Sequence, residues 1–362
     1  MASIPEILRT YGPEYIQTHP QLPKNHRKVI EAITRCKTGE LGQIVYQCQE
    51  CAKLHILDCS CGNRHCPQCQ YLKSQSWLKK QQDRFPQVPT FMITFTVPQQ
   101  MRDFIRSHQR IGYQAMFLAS SEALKLLAKD QKFIGTDLPG FTGILHTWGR
   151  QLTYHPHIHY IVPGGGLTPD RAKWMPSHPG FYAPVKALSR IYKAKFKEQI
   201  KDAGMLQNID PIVWSMDWNV NSQAVGDGKA ALTYLGPYVF KVAIGNSRIV
   251  KVEDRKVTFT YRKKGSRRTR TMTLEVIEFI RRFLQHVLPD GFMKVRHYGF
   301  MHPSCRTTIE EIKPLLPNPE PQSDDEQEPI NTPNLSIYCS DCGNFMVFVV
   351  RIGAPPKVYD SS

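Results

Sequence analysis

His155-Pro156-His157-Ile158-His159 places three imidazoles at alternate positions in an apolar run that ends in Pro163-Gly164-Gly165-Gly166. In a β-strand alternate side chains share a face, so His157 and His159 point one way while Ile158, Tyr160 and Val162 point the other way, into a core. Two adjacent imidazoles on a rigid strand make a preformed half-site for a metal ion. His155 shares their face but stands about 13 Å from His159 along the strand. One ion cannot easily bind both, so the closer pair is His157 and His159. Tyr234-Leu235-Gly236-Pro237-Tyr238 begins 75 positions after His159 and sets two phenols four positions apart. On a helix they would share a face. Pro237 is poorly tolerated deep in a helix, however, and this moves the expected helix start to Gly236–Pro237 and leaves Tyr234 on the entry turn. Taken singly, each of these residues reads as an ordinary core or surface side chain. Metal-type histidines, paired tyrosines and a strongly basic chain together point to phosphoryl transfer on DNA through a phosphotyrosine link.

The charge supports a polyanionic partner. The 362-residue chain carries a formal net charge of +16, and each Lys or Arg brought near a phosphate releases condensed counterions. Its length suits two or three domains, and a hydrophobic fraction of 41% supplies an ordinary globular core. No apolar run is long enough to span a bilayer. Met1-Ala2-Ser3-Ile4-Pro5-Glu6 lacks a secretion pattern, so a cytoplasmic protein is expected. Ten cysteines in that compartment read as metal ligands rather than disulfides.

Seven of those cysteines fall between positions 36 and 69. Cys48-Gln49-Glu50-Cys51 and Cys66-Pro67-Gln68-Cys69 are two Cys-x-x-Cys knuckles, and together they are expected to complete one tetrahedral Zn²⁺ shell. Cys36, Cys61, His65 and His26 are candidates for a second ion, with Cys59 competing with Cys61. A module this small builds little core, so metal binding would supply much of its folding energy, on the order of 10 kcal/mol. Arg64, Lys53 and Lys73 stand near the knuckles, where they suit phosphate contact. Near the C-terminus, Cys339-Ser340-Asp341-Cys342 is a third knuckle, and His302 and Cys305 are the ligands whose spacing would complete it. One Zn²⁺ is expected, and two or three are compatible with this set.

These residues need elements to hold them. Phe91–Val97 alternates as a strand, residues 100–130 as a helix, and Gly143–Trp148 as a second strand that pairs antiparallel with the histidine strand. Residues 186–203 repeat Leu188, Tyr192, Phe196 and Ile200 at helical steps, with Gly204 as a C-cap. Val257–Tyr261 and Thr271–Leu274 flank a basic turn that carries Arg262, Lys263, Lys264, Arg267, Arg268 and Arg270. Such a turn reads as a phosphate-gripping finger. A helix over 275–288 bears Arg281 and Arg282, and Arg296 adds charge beyond it. The expected domains are a zinc-binding DNA-recognition module over 1–85, a catalytic domain over 86–300 that includes the hairpin 256–274, and a tail over 301–362. That tail holds an acidic, Pro-rich linker at 314–335 and the last knuckle.

The chain resembles the two-tyrosine HUH transposases of rolling-circle insertion sequences, the IS ninety-one type. The resemblance rests on Cys61-Gly62-Asn63-Arg64-His65-Cys66-Pro67-Gln68-Cys69-Gln70, on Leu145-His146-Thr147-Trp148 with His155–His159 and Val162–Gly166, and on Tyr234–Tyr238. Phe279-Ile280-Arg281-Arg282-Phe283 and Arg296-His297-Tyr298-Gly299-Phe300 are similar to that family's later landmarks. It covers the chain to about residue 300 and implies an α+β fold, with an antiparallel HUH sheet flanked by helices and an N-terminal zinc-binding module, to which the cysteine spacing adds a small C-terminal zinc knuckle. It also implies His157 and His159 as ligands of Mg²⁺ or Mn²⁺, and Tyr234 and Tyr238 as nucleophiles. The third ligand stays open between His146, His155 and an acidic or amide side chain.

The implied activity is nicking and rejoining of single-stranded DNA through a 5′-phosphotyrosine, which moves an insertion sequence by a rolling-circle route. The partners would be element ends, target DNA and host replication or helicase proteins, in a bacterial or archaeal cytoplasm and on the nucleoid when bound. A replication initiator or relaxase would share this chemistry. A zinc-dependent DNA-binding regulator without catalysis would bind DNA in a salt-sensitive way and form no covalent adduct. A metallohydrolase using the histidine strand would not depend on the tyrosines.

Overall fold

The computed structural model describes residues 2–70, 73–74, 85–228, 239–263, 265–317 and 337–353. Tyr234, Tyr238, Lys264 and most of the acidic linker lie outside the described residues. Two helices, Ile4–Thr18 and Lys24–Thr34, precede β1 (Gln43–Cys48) and β2 (Leu54–Asp58). The first helix begins where its sequence says it should. The Ser3 hydroxyl accepts the Glu6 N–H, and Pro5 occupies a first-turn position whose N–H has no helical partner to lose. Then follow β3 (Thr90–Thr96), β4 (Leu138–Pro139), β5 (Phe141–Trp148), β6 (Tyr154–Pro163), β7 (Gly165–Leu167), β8 (Trp174–Pro176) and β9 (Asn219–Ala224). The helices Gln109–Lys129 and Val185–Asp202 are interleaved with them. β10 (Ile249–Glu253), β11 (Lys256–Arg262) and β12 (Thr269–Glu275) lead to a helix at Val276–Leu284, and β13 (Val295–Tyr298), β14 (Ile337–Tyr338) and β15 (Phe345–Ile352) close the order.

The architecture is α+β. A five-stranded antiparallel sheet in the order β13-β5-β6-β3-β9 forms its centre. One face of that sheet carries Phe95, Leu145, Ile158, Tyr160 and Val162, which pack against Tyr113, Met116 and Phe117 of one long helix and Tyr192 and Phe196 of the other. Each such large apolar side chain contributes about 1.5–3 kcal/mol on burial. Among the described residues, no helix is long and apolar enough to cross a membrane.

The single helix expected over 100–130 is three pieces: a 3-10 turn at Gln99–Met101, then Arg102–Ser107 and Gln109–Lys129. His108 leaves helical geometry (φ −125°, ψ 52°), and its Nδ1 turns back to within 3.2 Å of the Phe104 carbonyl. Gly112 permits the fold-back, because a Cβ there would stand 2.9 Å from Ile105. The helix expected over 275–288 ends at Leu284. Gly204 does adopt the left-handed conformation (φ 68°) beyond its helix.

The N-terminal helices do not form a core of their own. Ile4, Leu8, Ile30 and Ile33 share one with Val257 and Phe259 of β11 and with Phe279, Ile280 and Phe283 of the helix after β12. The C-terminal strands likewise do not stand apart. β15 pairs along β1, with Gln43 opposite Ile352 and Cys48 opposite Met346, in a sheet ordered β14-β15-β1-β2.

Gly143 on β5 lies directly opposite Tyr160 on β6, and a Cβ at Gly143 would fall 2.5 Å from the Tyr160 ring. That ring is held by Phe95 and Phe141 edge-on, and its hydroxyl lies 2.8 Å from Ser120 Oγ. Gly143→Ala is expected to cost about 1–3 kcal/mol through overpacking. A thermal melt would read this as a clear fall in Tm, whereas an unchanged Tm would mean the ring can yield.

Candidate functional site

The pairing of β5 with β6 sets His146 directly opposite His157, and Ile144 opposite His159. On the other side of β6, β3 sets Thr96 opposite His157 and Thr94 opposite His159. Directly opposed side chains in an antiparallel pair have Cβ atoms about 4.5–5.5 Å apart. One nitrogen from each of His146, His157 and His159 therefore falls within 4.8 Å of the others. The ring centroids are 5.6 Å apart for His146 and His157, 5.0 Å for His146 and His159, and 4.7 Å for His157 and His159. His146 is buried and stacks on Trp148 at 4.6 Å, while the other two are half-buried. His155 is outside the trio, as its position along the strand requires.

The ring nitrogens are oriented from outside the trio. His157 Nδ1–H donates to the His155 carbonyl (2.7 Å), which leaves the Nε2 lone pair for a ligand. His159 Nδ1 lies 2.9 Å from the Thr94 hydroxyl, a position from which the same tautomer can be held. Burial is the main force on their protonation, aided at His157 by the Lys241 and Arg102 charges and at His159 by His157, Lys241 and His155. It lowers His157 to about 4 and His159 to about 3. His157 and His159 are thus neutral at pH 7, and the trio suits a divalent transition metal.

Tyr234 and Tyr238 lie outside the described residues. Val239, the next residue in the chain, is buried in a small cluster with Met92, Ile144 and Ile161. Those three side chains continue the face that carries the histidines. Thr94 and Lys241 are neighbours of the trio that the sequence reading missed. A lysine three positions after a candidate nucleophile was a visible signal, but the importance of Thr94 depends on strand register alone.

The cysteines group differently from expectation. Cys36, Cys61, Cys66 and Cys69 converge, with Sγ separations of 3.7 Å (Cys36–Cys69), 3.6 Å (Cys61–Cys69) and 3.7 Å (Cys36–Cys66). A tetrahedral zinc tetrathiolate with Zn–S near 2.3 Å has sulfurs about 3.8 Å apart. Cys48 and Cys51 do not complete this shell; they meet Cys339 and Cys342 instead. The reason is the β1–β2 hairpin, whose tip carries Cys48 and Cys51 and whose open end carries Cys36 and Cys61. The two ends are roughly 15 Å apart at strand rise.

Neither His26 nor His65 joins a thiol group. Burial lowers His26 to about 4 and holds His65 well below its usual range. Cys59 also stays out, with its Sγ 3.9 Å from Arg351. His302 and Cys305 do not complete the last knuckle. His302 Nδ1 accepts from the Ser304 hydroxyl (2.6 Å), and Cys305 packs beside Phe300 and Ile312.

The arginines divide into two sets. Arg64 donates to the Pro289 (2.7 Å) and Phe292 carbonyls, Arg281 and Arg282 both grip Glu278 (2.6 Å each), and Arg296 lies over the Phe117 ring at 4.2 Å. Arg262, Lys263, Arg267, Arg268 and Arg270 are exposed around the β11–β12 turn.

Comparison with known proteins bears on the same residues. A family model described as a putative transposase matches residues 140–308, which contain the histidine trio, and one described as a transposase zinc-binding domain matches residues 7–97. Cys339 and Cys342 lie outside both matches. "Putative transposase y4qJ" of Sinorhizobium fredii is 32% identical over 392 aligned residues, which covers 99% of this chain and 98% of that protein. "Transposase for insertion sequence element IS801" of Pseudomonas savastanoi pv. phaseolicola is 26% identical over 355 residues, 89% of this chain and 84% of that one. No solved structure matches the chain.

Beneath Trp148, His286 is buried between the Thr147 hydroxyl (3.3 Å) and the Leu152 carbonyl (3.4 Å), and burial lowers it to about 3. Its folded value lies below the ordinary 6.5, so the unfolded chain takes up the proton first. Stability is therefore present above pH 6.5 and is lost as pH falls, at about 1.4 kcal/mol per unit for such a group. His286→Gln should be less stable than wild type at pH 7.5 but lose less Tm on acidification to pH 5. Equal losses in the two proteins would show that His286 does not titrate as a buried group.

Proposed function

From a chain that belongs to the IS ninety-one type of transposases and carries their N-terminal zinc-binding domain, we propose an enzyme that nicks and rejoins single-stranded DNA through a 5′-phosphotyrosine. The observation that carries this reading is the convergence of His146, His157 and His159 on the sheet face against which Val239, the residue after Tyr238, packs. Three imidazoles, one with its outer nitrogen tied to a carbonyl, are a donor set that fits Mn²⁺ and, less well, Mg²⁺. Such an ion, when bound, supplies Lewis-acid polarisation of a phosphate oxygen.

The chain's own groups do the rest. A phenol of Tyr234 or Tyr238 attacks the scissile phosphorus. The new bond joins phosphorus to the tyrosine oxygen, the bond to the 3′ oxygen breaks, and the phenolic proton leaves as that oxygen becomes a 3′-OH. One phosphoester replaces another, so the linkage energy is retained and a 3′-OH can later reverse the step at a new site. A tyrosine pKa near 10 has to be lowered for attack at neutral pH. Lys241, whose charge reaches both His157 and His159, would favour a phenolate or neutralise the phosphate. The exposed β11–β12 turn would hold the DNA backbone, while Arg64, Arg281, Arg282 and Arg296 serve chiefly to position their own elements.

The test is a covalent-adduct gel with labelled single-stranded DNA from element ends. Adduct should form with Mn²⁺ at least as well as with Mg²⁺ and vanish in EDTA. It should fall at least about a hundredfold in His157→Ala, since Lewis-acid stabilisation is worth several kcal/mol, and be lost in Tyr234→Phe or Tyr238→Phe. Tight binding without adduct on any end sequence would favour a zinc-dependent regulator, and nicking without strand transfer into fresh target DNA would favour a replication initiator. Independently, replacing Arg267, Arg268 and Arg270 with Ala should lower the slope of log affinity against log salt by about one for each phosphate that is no longer gripped. An unchanged slope would remove the turn from the interface.

A further inference from the structure

The Cys-x-x-Cys loops nearest the two ends of the chain are built alike. In the first, the Ala52 N–H donates to the Cys48 carbonyl (3.1 Å) and the Cys48 N–H to the Lys53 carbonyl (2.9 Å). In the second, the Gly343 N–H donates to the Cys339 carbonyl (3.0 Å) and the Cys339 N–H to the Asn344 carbonyl (2.8 Å). The residue after the second cysteine is left-handed in both, with φ 55° at Ala52 and 73° at Gly343. A non-glycine residue keeps that conformation only where its surroundings over-determine it. Each loop joins the strands of a hairpin, β1–β2 and β14–β15, and the two hairpins meet along β1 and β15.

This pairing faces the two loops toward each other. Cys48 Sγ lies 3.4 Å from Cys342 Sγ, Cys51 lies 3.5 Å from Cys339, and Cys342 lies 3.6 Å from Cys51. These separations are far beyond the ~2.05 Å of a disulfide and close to the ~3.8 Å of a zinc tetrathiolate. The loops are also linked by an ion pair between Lys53 and Asp341, and Ser340 Oγ lies 3.3 Å from His55 Nε2.

We propose that Cys48, Cys51, Cys339 and Cys342 hold a second Zn²⁺, which clasps the two ends of the chain and makes the C-terminal hairpin part of the N-terminal zinc module. Binding replaces four S–H bonds with four Zn–S bonds and releases the thiol protons to solvent. Lys53 offsets part of the negative charge left on the tetrathiolate. The clasp spans 294 positions between Cys48 and Cys342. The entropy of closing a loop grows only slowly with its length, so a span this long does not forbid it. Apolar burial is a weak alternative fastener. β14 has only two residues, and Phe348, Val349, Val350 and Ile352 of β15 are exposed.

The inference is independent of the catalytic reading and is tested by metal content and thiol accessibility. Native mass spectrometry of the full chain, with His157→Ala in every sample so that the histidine trio adds no ion, should find two zinc ions, and a single ion would overturn the proposal. Cys339→Ser with Cys342→Ser should lower the count to one. It should also make Cys48 and Cys51 reactive to N-ethylmaleimide while Cys36, Cys61, Cys66 and Cys69 stay protected. Two ions in that variant, or continued protection of Cys48 and Cys51, would also overturn it. Should every thiol become reactive, the variant has failed to fold, and the wild-type cysteines decide. A protease site inserted between Gln322 and Ser323 would be cut, and the C-terminal piece should stay with the remainder in a complex that holds two zinc ions. Separate elution, or a complex with one ion, would refute the clasp.

Discussion

Alternation along β6 is the constraint on which the rest depends. Ile158, Tyr160 and Val162 face the helices, and His157 and His159 between them face the other way. Core and site therefore share one backbone, and the register that satisfies the core also places the imidazoles. A slip of one residue would put histidines into the apolar layer and Tyr160 on the site face, a loss no alternative packing would recover. Gly143 and Ser120 fit around Tyr160 for the same reason: they fix the strand from the side away from the chemistry.

A second organising principle is that the small parts of this chain are stabilised from elsewhere. The N-terminal helices complete a core only with β11 and the helix after β12. The β1–β2 hairpin carries a cysteine quartet at each end, one drawn from neighbouring sequence and one from the far end of the chain. Its outward side chains Leu54, Ile56 and Leu57 are exposed, so metal-thiolate bonds, not burial, are suited to hold it.

The positive charge is unevenly committed. Glu278 offsets Arg281 and Arg282, backbone carbonyls take up Arg64, and aromatic faces cover Arg296. Arg262, Lys263, Arg267, Arg268 and Arg270, by contrast, are presented to solvent together around the β11–β12 turn. A count of basic residues does not separate these roles, because an arginine that positions a helix and one that grips a phosphate look the same in sequence.

Much of this protein was legible from the chain alone. Period-two alternation marked β3, β5 and β6, helical steps marked Val185–Asp202, and the basic turn between two β-rich runs marked the hairpin, because these signals are local. The break at His108 was not legible, since it depends on how closely Gly112 and Ile105 approach. His146 stood in the sequence as one of several third-ligand candidates, and only the β5–β6 register set it opposite His157. Cysteine spacing marked metal knuckles, yet it paired the wrong ones. A knuckle specifies the turn that presents two thiolates, while its partner is chosen by strand pairing across the fold. Sequence by itself determined which residues are equipped to bind metal, and tertiary structure decided which of them meet, because ligand chemistry belongs to single side chains and convergence belongs to the backbone that carries them.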